Sequence, residues 1–278
     1  MKTKNKDDLL KISLELRRDI IRMAICAGGC HIGGAFSAVE ILTAIYFGGV
    51  LDYDPLNPLL ENRDRFILSK GHASVLLYAV LSKAGFFPRE ELFTFCQLTS
   101  RLGGHPKKND LPGVEASTGS LGHGLSFAAG IALSAQMDRR PYHVYVLLGD
   151  GECQEGSVWE AGLFIAQKNL LQLTVIIDHN KLQAMDRLDN IIEMGEFAEK
   201  WRAFGFEVYE VDGHDIMALI KTFTAPASKK PRLILAHTTK GKGISFMENM
   251  PLWHYRNPNL DEIKIIEKEL SFSLATLL

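Results

Sequence analysis

The segments YHVYVLLGDGECQEG (142–156) and LTVIIDHNKL (173–182) decide how this chain folds. YHVYVLL is a β-branched and aromatic run that predicts a strand over 142–148, and LTVIID predicts another over 173–178. Both are continuously apolar rather than alternating, as expected of strands covered on both faces. Helical composition over 156–169 lies between them. Strand, helix and strand in that order make a right-handed βαβ unit with parallel strands. FEVYEV (206–211) and RLILAH (232–237) supply two more strands separated by a helical stretch. A further short strand is expected in DRFILSKGHAS (64–74), with a helix starting near His72.

Toward the N-terminus, Leu9, Leu10, Ile12, Leu16, Ile20, Met23 and Ala24 recur at mostly helical spacing, predicting an amphipathic helix over 9–27. CAGGCHIGGAFSAVE (26–40) interrupts it with four glycines. Ser37 and Glu40 have capping-box spacing, so a second helix is expected after Ser37. Pro88, followed by Arg89, Glu90 and Glu91, reads as another helix start. The fold class expected is α/β, a doubly wound, mostly parallel sheet with helices on both faces, in a single domain over 1–278.

The chain has 278 residues, 46% of them hydrophobic and 23% charged, enough for a substantial core. Its net charge of −2 provides no electrostatic footprint for nucleic acid or an anionic membrane. No apolar stretch approaches the ~20 residues that cross a bilayer, and MKTKNKDDLLKI does not read as a secretory signal. Cys26, Cys30, Cys96 and Cys153 form no C-x-x-C pair, which fits a reducing, cytoplasmic setting. Their plain reading is as small packing residues, although Cys153 in an acidic turn is open to exposure.

GDGECQEG places Asp150, Glu152 and Glu155 at the end of a strand. In open parallel sheets, ligands bind beyond the carboxyl ends of the strands. Asn180 follows Asp150 by 30 positions, about one βαβ unit, so both turns emerge on the same rim. A carboxylate, an amide oxygen and a backbone carbonyl make a hard oxygen set suited to Mg²⁺ or Ca²⁺, with vacancies for ligand phosphate oxygens. The following helix would turn its N–H groups toward such a phosphate. A solvated acidic turn is the equally balanced alternative on these residues alone. Rival motifs fail: an EF-hand beginning at Asp150 would need Gly where Glu155 stands and Glu where Ala161 stands. There is no P-loop, no H-E-x-x-H and no G-x-S-x-G.

Taken together, GDGECQEGSVWEA followed by DHNK resembles the thiamine diphosphate signature. CHIGGAFSAVEIL, RFILSKGHAS, GGHP, GVEASTGSLGHGLSFAAG and LAHTTKGKGISFMEN…WHY, in that order, narrow the resemblance to transketolases over residues 10–260. The resemblance implies that Asp150, Asn180 and the Leu182 carbonyl hold the metal. Gly151 lets the backbone approach the diphosphate, and His72 contacts a cofactor phosphate. Gly119 and Leu121 lie beside the cofactor's rings. His31, His105 and His254 line the substrate channel, where imidazole suits proton handling near neutral pH, and Lys240 lies near the same site. Each histidine in a glycine loop also has a plain role, capping a backbone group. Glu155 and Glu160 resemble acids near a subunit interface that link two cofactor sites; on their own they read as charges on a helix N-terminus. Glu152 matches no ligand and is expected to be solvated. His143, His179, His214 and His237 match nothing and are left structural. Ile32 stands where the family has proline and His123 where it usually has glutamine, so an imidazole is expected near the cofactor.

The family's pyrimidine-binding and C-terminal domains have no match here. The resemblance therefore implies the N-terminal subunit of a split transketolase, active only with a partner subunit that supplies the pyrimidine-binding half, in an α2β2 assembly. The composite would use thiamine diphosphate and Mg²⁺ (or Ca²⁺) to move a two-carbon ketol unit from a ketose, in phosphorylated form, to an aldose. The alternatives are a subunit of another thiamine diphosphate enzyme, deoxyxylulose-phosphate synthase-like or 2-oxoacid dehydrogenase-like, and a non-catalytic regulatory homologue.

Overall fold

A computed structural model describes residues 5–226 and 228–274. Helix α1 (Lys6–Ala27) begins at Asn5, whose side chain accepts from the Asp8 N–H at 2.9 Å, and ends where Gly28 turns left-handed at φ 72°. Its apolar stripe, including Leu9, Ile12, Leu16 and Ile20, is buried. Each such side chain stabilises the fold by about 1.5–3 kcal/mol. Two short helices follow, α2 (Ile32–Ser37) and α3 (Val39–Phe47). Then come β1 (Arg65–Leu68), α4 (Ser74–Ala84), α5 (Gly124–Met137), β2 (Val144–Gly149), α6 (Gly156–Lys168) and β3 (Leu173–His179). The chain continues through α7 (Leu188–Ile191), α8 (Phe197–Ala203), β4 (Glu207–Asp212), α9 (Ile216–Phe223), β5 (Arg232–His237) and α10 (Leu260–Glu269).

The five strands are parallel, in the order β1-β2-β3-β5-β4. Successive residues point to opposite faces and build two separate cores. Tyr145, Leu147, Ile176 and Ile234 join the core under α1, α3, α4 and α9. Val144, Val146, Leu148, Val175, Ile177 and Leu233 join the core under α5, α6 and α8. This explains why the strands read as unbroken apolar runs. Crossovers running toward β4 carry α5, α6 and α8 on one face. The reversed step from β4 to β5 puts α9 on the other, as right-handed crossovers require. The expected doubly wound α/β class is observed.

Three local expectations are corrected. Ser37 ends α2 instead of capping the next helix, and it and Glu40 are buried and turned inward. Glu40 binds Arg17 through two bonds of 2.6 and 3.0 Å and His214 Nδ1 at 2.9 Å. Tertiary partners thus took both side chains that local spacing assigned to a cap. The helix expected near His72 is a 3-10 turn over Gly71–Ala73 leading into α4. The Pro88 start yields only a 3-10 segment, Arg89–Thr94, because the chain turns back at Cys96 with φ 56°.

Cys153, open to exposure on sequence grounds, is fully buried, and its thiol donates to the Gly149 carbonyl at 3.4 Å. Burial, with Glu152 and Asp150 nearby, pushes the thiol's pKa well up. Reactivity follows the thiolate and its exposure. In the native protein, exposed Cys26 and Cys96 should therefore be alkylated and Cys153 spared until denaturant is added, as mass spectrometry of the labelled peptides would report.

Candidate active site

The carboxyl ends of β1, β2, β3 and β5 meet at one rim. A cleft of about 360 Å³ opens there, lined among others by Lys70, His72, Gly119, Leu121, Asp150, Gly151, Glu155, Asn180, Leu182, Lys240 and His254. Most residues singled out from sequence are therefore brought together. His31 stands just behind, its ring 5.1 Å from His254 and 5.3 Å from His72. Exposed His105 lies 6.0 Å from His31. Gly119 is required by His105: a Cβ at Gly119, already at φ 144°, would sit 2.8 Å from the imidazole. Glu155 reaches the rim, whereas Glu160 lies outside the cleft, exposed on α6. His123 is exposed, contacts only the Leu121 carbonyl at 3.1 Å, and does not line the cleft.

Glu152 corrects its expectation. It is 2% exposed, accepting from the Ser69 hydroxyl, the Gly122 N–H at 2.9 Å and the Gly149 N–H at 3.2 Å. Burial raises its pKa, and those bonds oppose the rise. One carboxylate thus ties together the end of β2, the turn after β1 and the loop before α5.

Beneath the cleft lies a buried polar cluster absent from the sequence reading. Asp178, 0% exposed, accepts from Lys70 Nζ, Thr238 Oγ1, Ser37 Oγ at 2.5 Å and Asn180 Nδ2 at 3.3 Å. Because the Asn180 amide nitrogen faces Asp178, its oxygen faces the other way and accepts from the Leu182 N–H at 3.1 Å. Asp150 accepts from the Gly151 N–H at 2.8 Å and the Lys181 N–H at 2.6 Å. These carboxylate and amide oxygens each retain acceptor capacity. With the Leu182 carbonyl they form an oxygen donor set of the kind Mg²⁺ and Ca²⁺ accept. Among the described residues no cluster of three or more His, Cys, Asp or Glu side chains could hold a metal, which leaves no softer competing site. His179 Nδ1 lies 3.3 Å from Asp150 Oδ2 but off the line of a hydrogen bond, and is left without a partner.

Lys240 is the most informative cation. It is 2% exposed, and its ammonium donates to the carbonyls of Leu182 (3.3 Å) and Gln183 (2.7 Å) and to His254 Nδ1 (3.0 Å). No carboxylate pairs with it among the described residues, and burial, then Lys70, pulls its pKa down to about 8. A buried charge without a counter-charge is costly, so this corner of the cleft favours an anion. The loop carrying Lys240 is held by His214, whose Nε2 accepts from the Thr239 N–H at 2.8 Å while Nδ1 faces Glu40.

Burial, then His105 and Lys240, lowers the pKa of His31 to about 4. Burial, then Lys240 and His31, lowers that of His254 to about 3. Both are neutral at pH 7, able to accept through one nitrogen and donate through the other. Outside the cleft, burial brings His143 to about 4. Unfolded imidazoles take up protons near pH 6.5. From about pH 6.5 down to about 4 the unfolded chain therefore binds more protons, so stability falls as pH drops through that window. Denaturant midpoints measured across this range should decline steadily.

Residues 12–276 match the family model described as transketolase, thiamine diphosphate binding domain. The chain is 43% identical over 266 residues to one of the two subunits of the apulose-4-phosphate transketolase of Actinobacillus succinogenes, covering 95% of this chain and 96% of that one. It is 41% identical over 220 residues to the 6-deoxy-6-sulfo-D-fructose transketolase subunit of a Clostridium species, covering 78% and 80% of the two chains. The crystal structure of Campylobacter jejuni transketolase superposes with a TM-score of 0.91 at 31% identity, covering 97% of this chain but only 44% of that one. Among the described residues no helix is long and apolar enough to cross a membrane. With this fold, this rim and these likenesses, the chain belongs to the transketolase family, through the domain that binds thiamine diphosphate.

Proposed function

We propose that this chain is the diphosphate-binding subunit of a two-chain transketolase, working with a partner that supplies the pyrimidine-binding half in an α2β2 assembly. The observation that carries this reading is the pairing of Lys240, a buried cation without a carboxylate, with the oxygen set of Asp150, Asn180 and Leu182. Those three oxygens would hold Mg²⁺ or Ca²⁺. Lys240 and His72 would face the diphosphate, Gly151 would give it backbone room, and Gly119 and Leu121 would flank the rings. Bound thiamine diphosphate supplies the carbon centre that cleaves and re-forms a bond next to a ketose carbonyl.

The chain's own residues orient the sugar and move protons. Neutral His31 and His254, with His105 at the edge, are placed to donate to and accept from its carbonyl and hydroxyl oxygens. Glu155 at the rim and Glu160 beyond it would meet a neighbouring subunit. The relatives named for apulose-4-phosphate and 6-deoxy-6-sulfo-D-fructose share an anionic group on the sugar. The substrate class proposed here is accordingly a ketose donor with an anionic terminus and an aldose acceptor.

The test is an assay of the purified chain alone and co-expressed with its partner, with thiamine diphosphate and Mg²⁺. Ketol transfer from a ketose phosphate is expected only from the complex. Full activity of this chain alone overturns the two-chain reading, and turnover of pyruvate in place of a ketose overturns the reaction class.

A further inference from the structure

Tyr255 follows His254 at the mouth of the histidine group, and nothing so far gives it a role. It is 60% exposed, an uncommon state for a large aromatic side chain. Its ring stands edge-on to His31, with ring centroids 4.8 Å apart and planes at 74°. Its hydroxyl makes no hydrogen bond among the described residues. His31 in turn touches His72, His105 and His254, so Tyr255 extends the same group outward, beyond the cleft that holds His254.

The position is rigidly built. On one side of Tyr255, Trp253 is 2% exposed, packed on Phe246 and under the Arg256 guanidinium at 4.2 Å. On the other, the Arg256 N–H donates to the Cys30 carbonyl at 3.3 Å, and its side chain bonds Glu262 at 2.9 Å. Two glycines of CAGGCHIGG make this seating possible. A Cβ at Gly33 would lie 2.8 Å from the Trp253 carbonyl, and one at Gly29 would lie 3.3 Å from the Arg256 backbone. The glycine-rich loop that presents His31 is thus shaped to receive the segment that presents Tyr255. Such close fitting of two backbone segments is spent on holding an aromatic ring in water, next to imidazoles.

A phenol offers an apolar face for the C–H side of a sugar chain and a hydroxyl for its oxygens. We propose that Tyr255 contacts the substrate and sets specificity, packing with His31 against the part of the sugar farthest from the reacting carbons. This inference rests on the two-chain transketolase reading above. It makes Tyr255 a determinant of which aldose is accepted, not a participant in bond cleavage.

The test compares wild type, Tyr255→Phe and Tyr255→Ala, each co-purified with the partner chain. It measures the thiamine diphosphate Kd by calorimetry, and KM and kcat with glyceraldehyde 3-phosphate and ribose 5-phosphate as acceptors. For Tyr255→Ala, an acceptor KM about ten-fold higher and a changed preference between the two acceptors are expected, with kcat less affected. Tyr255→Phe keeps the ring and should recover the preference in part. The cofactor Kd should stay within about two-fold, because a merely structural defect would move it as well. Unchanged acceptor KM and preference in an active complex overturn the role of Tyr255 alone. A wild-type complex that binds cofactor but transfers no ketol unit overturns the functional reading, and this inference with it.

Discussion

Asp150→Ala should abolish cation-dependent retention of thiamine diphosphate in the two-chain complex. Asp150 is 2% exposed and is the carboxylate of the proposed oxygen set; Asn180 and Leu182 contribute only neutral oxygens. Without it, a divalent ion would face no formal negative charge from that set. Disturbing residues that merely orient metal ligands costs about 10–100-fold in affinity, so loss of the charged ligand should exceed ~100-fold. Calorimetry with Mg²⁺ and cofactor measures this directly. The fold should survive, because the Gly151 and Lys181 N–H groups released by the substitution lie at the rim, where water can replace the carboxylate. Unchanged affinity would remove Asp150 from the metal site.

Asp178→Ala should be the most destabilising single change at the rim. Lys70, 1% exposed, has Asp178 as its carboxylate partner, and the substitution strands that ammonium in the interior. Breaking a buried pair from one side costs about 3–5 kcal/mol, a large share of a domain's stability. Replacing Lys70 and Asp178 together by apolar residues should recover most of the loss. Burial pushes the Asp178 carboxyl upward, but the Lys70 charge and the bonds from Lys70, Ser37 and Thr238 hold its pKa below the usual aspartate value. Its contribution is therefore complete above the unfolded pKa of about 3.9 and lost as pH falls through the lower folded value. Denaturant unfolding of the variant should show a deficit at pH 7 that narrows in strong acid. The variant should also bind the metal more weakly, since Asp178 sets which way the Asn180 amide points.

Much of the fold was legible because its signals are local. Strands buried on both faces must be apolar throughout, so YHVYVLL and LTVIID announced parallel strands before any contact was known. Asp150 and Asn180 were legible as a pair, since one βαβ unit returns the chain to the same rim. His31, His72, His105 and His254 were legible through ordered motifs in glycine loops, and three of these rings stand around His31. Where reading failed, a side chain had partners distant in sequence. Ser37 and Glu40 have the spacing of a cap, but their partners Asp178 and His214 lie 141 and 174 positions away. No window of neighbouring residues carries that information.

GDGECQEG shows the division most clearly. Sequence alone determined that a strand ends there, that the sheet is parallel, and that Asp150 emerges on the same rim as Asn180, because hydrophobic periodicity and the length of a crossover are properties of the chain itself. Only the tertiary structure decided the fate of the other acids. Glu152 turns inward to fasten three segments, while Glu155 stays at the rim. A carboxylate's role follows from whether N–H and O–H donors converge on it. Here those donors come from Ser69 and Gly122, brought near only by the closing of the fold.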